Sequence, residues 1–323
     1  MGKIIEDVSI ISTVYNEEKN IASFLESLLN MTVLPKEIII VDAGSKDNTV
    51  EIIKKYSKIH SFIKLMISNG CNIAKGRNVA IENATNSIIA VTDAGCEIDK
   101  FWLEKIILPF KDSNIDVVSG WYKPLIKNKF QEITSQILFS SLDQIDKESF
   151  LPSSRSIAFK KESWKKINGY PEHLTFAGED TLFDIKLKNE KNIFFFQPEA
   201  YVYWEPRENV KQFKKQIFYY SLGDAEASNM DFDYIKKIIF YIINFILLIC
   251  AIKIPAILLL NAALFLIKYR VVFQKNKKYR LNLFFVYIYL EIIQIYGFIS
   301  GKLNRDVIRK NKEYMSSRCS DER

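Results

Sequence analysis

Val8 to Val14 (VSIISTV) is a short run dominated by β-branched residues, and the fifteen residues that follow Tyr15 change period. In NEEKNIASFLESLLN, apolar Ile21, Phe24, Leu25, Leu28 and Leu29 recur at helical spacing. Asn16 stands where a helix cap is expected, with two acids behind it in the first turn. The alternation then repeats. EIIIVDAGS (37–45) reads as a strand, DNTVEIIKKYSKI as a helix, FIKLMIS (62–68) as a strand, IAKGRNVAIENA as a helix and SIIAVTD (87–93) as a fourth strand. Near-continuous apolar strands separated by helices predict an α/β fold with a mostly parallel central sheet covered on both faces. Ligands of such sheets bind beyond the carboxyl ends of the strands. Asn16, Asp42 and Asp93 all fall at those ends.

Beyond residue 100 the pattern is less regular. IDVVSGWYKP, SRSIAF and IFFFQPEAYVYWEPR read as strand material, KESWKKI as a short helix, and NGYPEHLTFAGEDTLFDIKLKNEK as a loop entering a helix. ENVKQFKKQIFYYSLGDAEA is an amphipathic helix, and the simplest division is one domain over residues 1–230. The composition then shifts. Ile238 to Ile252 and Ile254 to Ile267 hold no charged residue, and Lys253 separates them. Each run, slightly extended, approaches the ~17–20 residues that cross a hydrocarbon core about 30 Å thick. Residues 231–323 are therefore expected to form a membrane-anchoring segment. A hairpin at about 236–269 turns at Lys253 and Pro255, and a third apolar helix follows at about 282–300, containing Glu291 and Gln294.

Charge supports that division. Residues 231–323 carry 16 Lys and Arg against 7 Asp and Glu, while the preceding 230 carry 29 against 31. Basic residues flank the apolar runs on both outer sides (Lys236, Lys237, then Lys268, Arg270 and the KNKKYR cluster), which places both ends of the hairpin on the cytoplasmic side. The excess points to anionic lipid and away from nucleic acid. Four cysteines without C-x-x-C spacing and only two histidines argue against a disulfide framework and a zinc site. The start of the chain has no long apolar core and does not read as a signal peptide.

Five segments in order, SIISTVYNEEKNI, IIIVDAGSKDNTVEII, AKGRNVAI, VTDAG and AGEDTLF, resemble the family-2 inverting glycosyltransferases of the GT-A fold. The resemblance covers about residues 8–230 and is closest to a membrane-anchored branch carrying DAGC, LPSSRSIAF, VYWEPR and YYSLGD. It implies transfer of a sugar with inversion from a UDP- or GDP-linked donor to a lipid-linked or membrane-proximal glycan acceptor. By the same resemblance Asp42 accepts from the base, and Asp93 holds the ribose or a metal-bound water. Lys75 and Arg77 lie beside the diphosphate, where arginine makes paired contacts. Asn16 and Glu17 line the same pocket. Asp180 is the base that takes the acceptor proton, Glu179 orients the acceptor or its loop, and Gly178 permits a sharp approach into the helix.

Two departures from the family pattern concern the metal. Gly95 stands where many relatives carry the second Asp of Asp-x-Asp, and Trp204 stands where many carry a histidine ligand. Asp93 is thus the retained half of the metal site and its main candidate ligand, with Glu97 as a weaker substitute and Mg²⁺ or Mn²⁺ as the expected ion. Gly95 would let the backbone pass close to the sugar and phosphates. Arg155 and Trp204 are candidates for acceptor binding. The Q-x-x-R-W signature of processive relatives is missing, since Gln216 is followed by Tyr219 in the Arg position. Plainer alternatives stand beside each role: turn capping for Asp42 and Asp93, a solvated helix face for Lys75 and Arg77, two acids at a helix start for Glu179 and Asp180, and a structural ion pair for Arg155. A membrane-bound scaffold without activity, or a sugar-1-phosphate nucleotidyltransferase, are the competing functions. The latter needs a Gly-rich, Arg-containing loop that VYNEEKN does not supply.

Overall fold

The structure, a computed structural model, describes residues 3–139, 141–174, 177–228, 230–274 and 279–320, with side chains described throughout except at 271–274 and 304–320. The basic run at 275–278 lies outside the described residues. By contacts the chain forms two compact units, residues 1–126 with 139–206, and residues 127–138 with 207–323.

In the first unit the β-branched runs become inner strands. β1 (Ile4–Val14) lies between β2 (Val33–Asp42) and β4 (Ile88–Val91), and β3 (Ile63–Ile67) follows β2, all parallel. Ile10, Ile11, Ile38, Ile40, Val41, Ile89 and Val91 are completely enclosed, as strands covered on both faces must be. Helices α1 (Ile21–Leu29), α2 (Thr49–Ile59) and α3 (Ile73–Asn83) make the crossovers. α1 buries Ile21, Phe24, Leu25 and Leu28, the stripe read from the sequence.

The sheet continues through β5 (Cys96–Ile98), β6 (Val117–Pro124), β7 (Ile157–Lys160) and β8 (Phe194–Trp204) in the order β3-β2-β1-β4-β7-β6-β8-β5. Four of its seven neighbouring pairs are parallel, so the expected sheet type holds. β7 runs antiparallel to β4 and β6, and β5 antiparallel to β8 with Cys96 opposite Trp204. Helices α4 (Trp102–Ile107), α6 (Lys161–Lys166) and α7 (Glu179–Asn189) complete this unit.

The first helix starts later than expected. Asn16 has a left-handed backbone (φ 53°), and α1 begins only at Ile21 behind Asn20. Asn16 does not cap it. Its side-chain oxygen accepts instead from the Lys46 amide (2.9 Å), and the Glu18 carboxylate accepts from the Asn48 amide (3.0 Å) at the entry to α2. The polar residues NEE therefore serve the neighbouring loop.

The second unit is helical: α5 (Lys129–Leu138), α8 (Val210–Ala227), α9 (Asp231–Ala251), α10 (Ile257–Gln274) and α11 (Arg280–Ser320). Its limits differ from the expected boundary at 230, because α5 and α8 pack with the C-terminal helices. Ile133 of α5 clusters with Tyr269, Tyr279 and Leu283, and Phe213 and Ile217 of α8 cluster with Leu290 and Ile293. α9 and α10 run antiparallel, with Asn261 Nδ2 donating to the Asn244 carbonyl (3.0 Å) and the Tyr241 and Tyr269 hydroxyls 2.9 Å apart. The chain between them, 252–256, contains Lys253 and Pro255. Glu291 is matched by Lys268 at 2.6 Å and by the hydroxyls of Tyr241 and Tyr269, while Gln294 accepts from Lys237 at 2.8 Å. Two helical stretches, Asp231–Ala251 and Arg280–Leu303, are long and apolar enough to cross a membrane.

Candidate active site

Parallel pairing puts the ends of β1, β2 and β4 on one edge of the sheet, and α3 brings a cation to it. Arg77 is only 2% exposed. Its Nη2 donates to Asp93 Oδ1 at 2.9 Å, just past β4, and its Nη1 donates to Glu179 Oε1 at 2.7 Å, at the start of α7. The guanidinium also lies 5.3 Å over the Tyr170 ring, which stacks on Phe183 of α7 at 3.8 Å. The solvated-face alternative for Arg77 is therefore excluded. Burial opposes its charge, but Asp93 and Glu179 outweigh burial and hold the guanidinium protonated. For Glu179, burial and neighbouring Asp180 push the carboxyl up against the pull of Arg77.

Asp180 is half-buried beside this pair. Its Oδ1 accepts from the Thr181 amide (2.8 Å), and no cation pairs with it among the described residues. Gly178 precedes the helix at φ 86°, a left-handed conformation that favours glycine. The chain can thus turn sharply and set two carboxylates in the first turn of α7, where the helix dipole favours them.

A second cluster surrounds the loop after β2. Asp42 is fully enclosed, and its carboxylate accepts from the Gly44 and Ser45 amides (both 2.8 Å) and from the Ser45 hydroxyl. Ser45 Oγ in turn accepts from the Asn16 amide (2.8 Å), and Thr49 Oγ1 from the Glu17 amide (2.8 Å). Asp42 therefore shapes this loop, with Asn16 and Glu17 tied to the same loop.

Lys75 is exposed and meets no carboxylate among the described residues. One residue on, a Cβ at Gly76 would lie 2.7 Å from Thr13 Cγ2, so glycine lets α3 press against β1 and deliver Arg77. At exposed Gly95 an added Cβ would meet nothing within 4 Å, which leaves open space beside Asp93. No three His, Cys, Asp or Glu among the described residues form a metal cluster. The Arg155 guanidinium lies 4.2 Å over the Trp204 ring and 5.3 Å over Tyr122. Trp204 is 9% exposed, so Arg155 carries the polar chemistry of that pair. Burial pushes the Cys96 thiol up, which makes it an inert packing residue.

Sequence reasoning passed over four residues that build this site. Asn72 caps α3 through the Lys75 amide (2.9 Å) and donates to the carbonyls of Glu172 (2.8 Å) and Leu174 (3.0 Å). Asn78 makes four hydrogen bonds: its oxygen accepts from Trp164 Nε1 (3.0 Å) and the Tyr170 amide (2.8 Å), and its nitrogen donates to the Tyr170 carbonyl (2.9 Å) and Glu172 Oε1 (2.8 Å). Tyr170 supplies the ring beneath Arg77 and meets Ser154 Oγ at 3.1 Å. Only Asn72 left a signal, an asparagine three residues before Lys75 in the manner of an N-cap.

Asp184, the fourth, lies one turn after Asp180, is 1% exposed, and its Oδ2 has no hydrogen-bond partner among the described residues. Burial, then Asp180, raises its pKa well above the ordinary aspartate value, which favours the protonated form in the folded protein. An acid that stays protonated only when folded makes stability fall as pH rises above the unfolded value of about 4. Asp184→Asn removes that slope. Thermal melts from pH 4 to 8 should show the variant gaining on the wild type as pH rises, and a constant difference would mean that Asp184 is already ionised.

Residues 9–171, just over half of the chain, match the family described as glycosyl transferase family 2. The chain is 28% identical over 184 residues to glycosyltransferase AglE of Haloferax volcanii, covering 53% of this chain and 58% of that protein. It is 28% identical over 268 residues to a poly-beta-1,6-N-acetyl-D-glucosamine synthase of Staphylococcus epidermidis, covering 75% and 61%. A cholesterol galactosyltransferase of Borreliella burgdorferi is 24% identical over 187 residues, covering 57% and 48%. The matches thus span about half to three fifths of these relatives. Among solved structures, a mannosyltransferase of Pyrobaculum calidifontis in complex with GDP-Man and Mn²⁺ superposes with a TM-score of 0.59 at 16% identity, over 93% of this chain and 86% of that one, a likeness of fold. The sheet-bearing unit is of the GT-A type, and the chain belongs to glycosyl transferase family 2.

Proposed function

We propose that the protein transfers a single sugar, with inversion, from a UDP- or GDP-linked donor to a lipid-linked or membrane-proximal glycan acceptor, at a membrane and from its cytoplasmic side. The observation that carries this reading is the joining of Asp93, at the carboxyl end of β4, to the first turn of α7 through Arg77, with Asp180 uncommitted beside it. The donor diphosphate would lie beyond the ends of β1, β2 and β4, where Lys75 offers an exposed ammonium and Gly95 leaves room. The loop shaped by Asp42 would form the nucleoside side of the pocket. Asp180 would take the proton of the acceptor hydroxyl while that oxygen attacks the anomeric carbon and the bond to the diphosphate breaks. A positioned base of this kind contributes about 10²–10⁴ in rate.

The residues fit a divalent ion only as a single protein ligand. Asp93 Oδ1 is engaged by Arg77, Asp93 Oδ2 makes no hydrogen bond among the described residues, and Gly95 has no side chain to add. Mg²⁺ or Mn²⁺ would then be held through Asp93, donor phosphates and water, and would neutralise charge on the leaving diphosphate. The membrane reading rests on the two apolar helices and on the exposure of the apolar side chains of Ile239, Ile242, Phe245, Ile246 and Ile249 on α9.

Chelation tests the metal. Exhaustive removal of divalent ions should lower transfer at least about tenfold, and Mg²⁺ or Mn²⁺ should restore it, given the several kcal/mol such an ion supplies. Full activity after chelation would assign the diphosphate charge to Lys75, neighbouring cations and backbone amides. The donor itself is identified by offering labelled UDP- and GDP-sugars with lipid extracts and following label into the lipid phase.

A further inference from the structure

We propose that Arg77 is a positioning residue that couples the donor seat to the acceptor base, so that occupancy at Asp93 sets the first turn of α7. This rests on the reading of the site as a nucleotide-sugar pocket.

α3 is the element that touches both sides. Through Arg77 Nη2 it holds Asp93, which follows β4, and through Arg77 Nη1 it holds Glu179, which opens α7 next to Asp180. Through Asn78 and Asn72 it also grips the segment leading to α7, at Tyr170, Glu172 and Leu174. Tyr170 is clamped between the guanidinium and Phe183 of α7 itself. Arg77 and Glu179 are 102 residues apart in the chain, so nothing local joins them. A planar guanidinium divides its charge between two carboxylates only while both compete for it. A phosphate-borne cation that engages Asp93 weakens that competitor, and the Arg77–Glu179 pair tightens in a site from which water is largely excluded. An incoming ligand can shift α7 only through such a differential contact, and the Arg77 bridge provides one.

Both terminal nitrogens of Arg77 are already engaged, so Arg77 acts on Asp180 through Glu179 and by charge. Lysine cannot substitute, because one ammonium does not span two carboxylates in this geometry.

Hydrogen exchange on the detergent-solubilised full chain tests this, with UDP or GDP plus Mn²⁺ as the added probe. In the wild type the probe should slow exchange both at residues 91–98 and at residues 177–186, the latter by at least about fivefold, the low end of common coupling strengths. Glu179→Gln keeps the Asp93 contact and removes the charge with which Glu179 competes for Arg77, so slowing should persist at 91–98 and fall away at 177–186. Arg77→Lys is the second variant, used should Glu179→Gln fail a thermal melt, with the same loss expected at 177–186. Slowing confined to 91–98 in the wild type would overturn the coupling while leaving the donor pocket intact. So would variants in which 177–186 still responds. An unresponsive wild type at both segments, with either nucleotide, would overturn the donor reading and the coupling with it.

Discussion

Asp180→Asn is expected to lower kcat by about 10²–10⁴-fold, the usual contribution of a positioned base, with nucleotide binding and thermal stability nearly unchanged. The structure gives the reason for both halves. Asp180 is half-buried, accepts one backbone hydrogen bond from Thr181, and has no ion-pair partner among the described residues. Asparagine keeps the shape and the hydrogen bond, so the stability cost should stay within about 0.5 kcal/mol, as for other substitutions that break no buried network. The carboxylate's ability to hold a proton is what disappears. Steady-state kinetics and a melt on the same preparation check it. Transfer within about threefold of the wild type would remove Asp180 from the role of base.

Arg77→Met should be the most destabilising single change in the site, at about 3–5 kcal/mol, the range for removing one partner of a buried ion pair. Methionine fills much of the space but leaves Glu179, itself 7% exposed, and Asp93 without their common cation. It also removes the charge resting on Tyr170. Adding Glu179→Gln to Arg77→Met should recover part of the loss, because the deeper of the two stranded carboxylates is then gone. Denaturant titration of the three variants checks the cycle. A cost below about 1 kcal/mol, the value of an exposed pair, would show that Arg77 is solvated in solution.

The sequence was most legible where apolar periodicity is continuous. β1, β2, β3, α3 and β4 fall within a few residues of their expected bounds, and the polar residues at the strand ends lie on one edge as parallel pairing requires. Long-range polar geometry was not legible. Nothing in AKGRN says that its arginine reaches a glutamate 102 residues away, and nothing near Asn78 announces four hydrogen bonds. Residues expected to face the donor were placed by resemblance, and the structure gives two of them further work, Asp42 inside its loop and Arg77 between carboxylates. The helix start at Asn16 was misread because a short polar side chain can satisfy a neighbouring loop as well as its own helix. The grouping of the helical unit is illegible for another reason. α5 and α8 carry apolar faces whose partners, on α10 and α11, are remote in sequence, so the grouping follows from packing that no local pattern encodes.

The measurement that bears most directly on the central claim is transfer itself. Detergent-solubilised wild type and Asp180→Asn are incubated in parallel with labelled UDP- and GDP-sugars, a divalent ion and a lipid extract, and both the label in the lipid phase and the released nucleoside diphosphate are counted. The account predicts that the wild type moves label from one of these donors into the lipid phase with matching release of diphosphate, and that Asp180→Asn does both at least about a hundredfold more slowly while still binding the nucleotide. Nucleotide binding by both proteins without transfer from any donor to any lipid or glycan acceptor would contradict it.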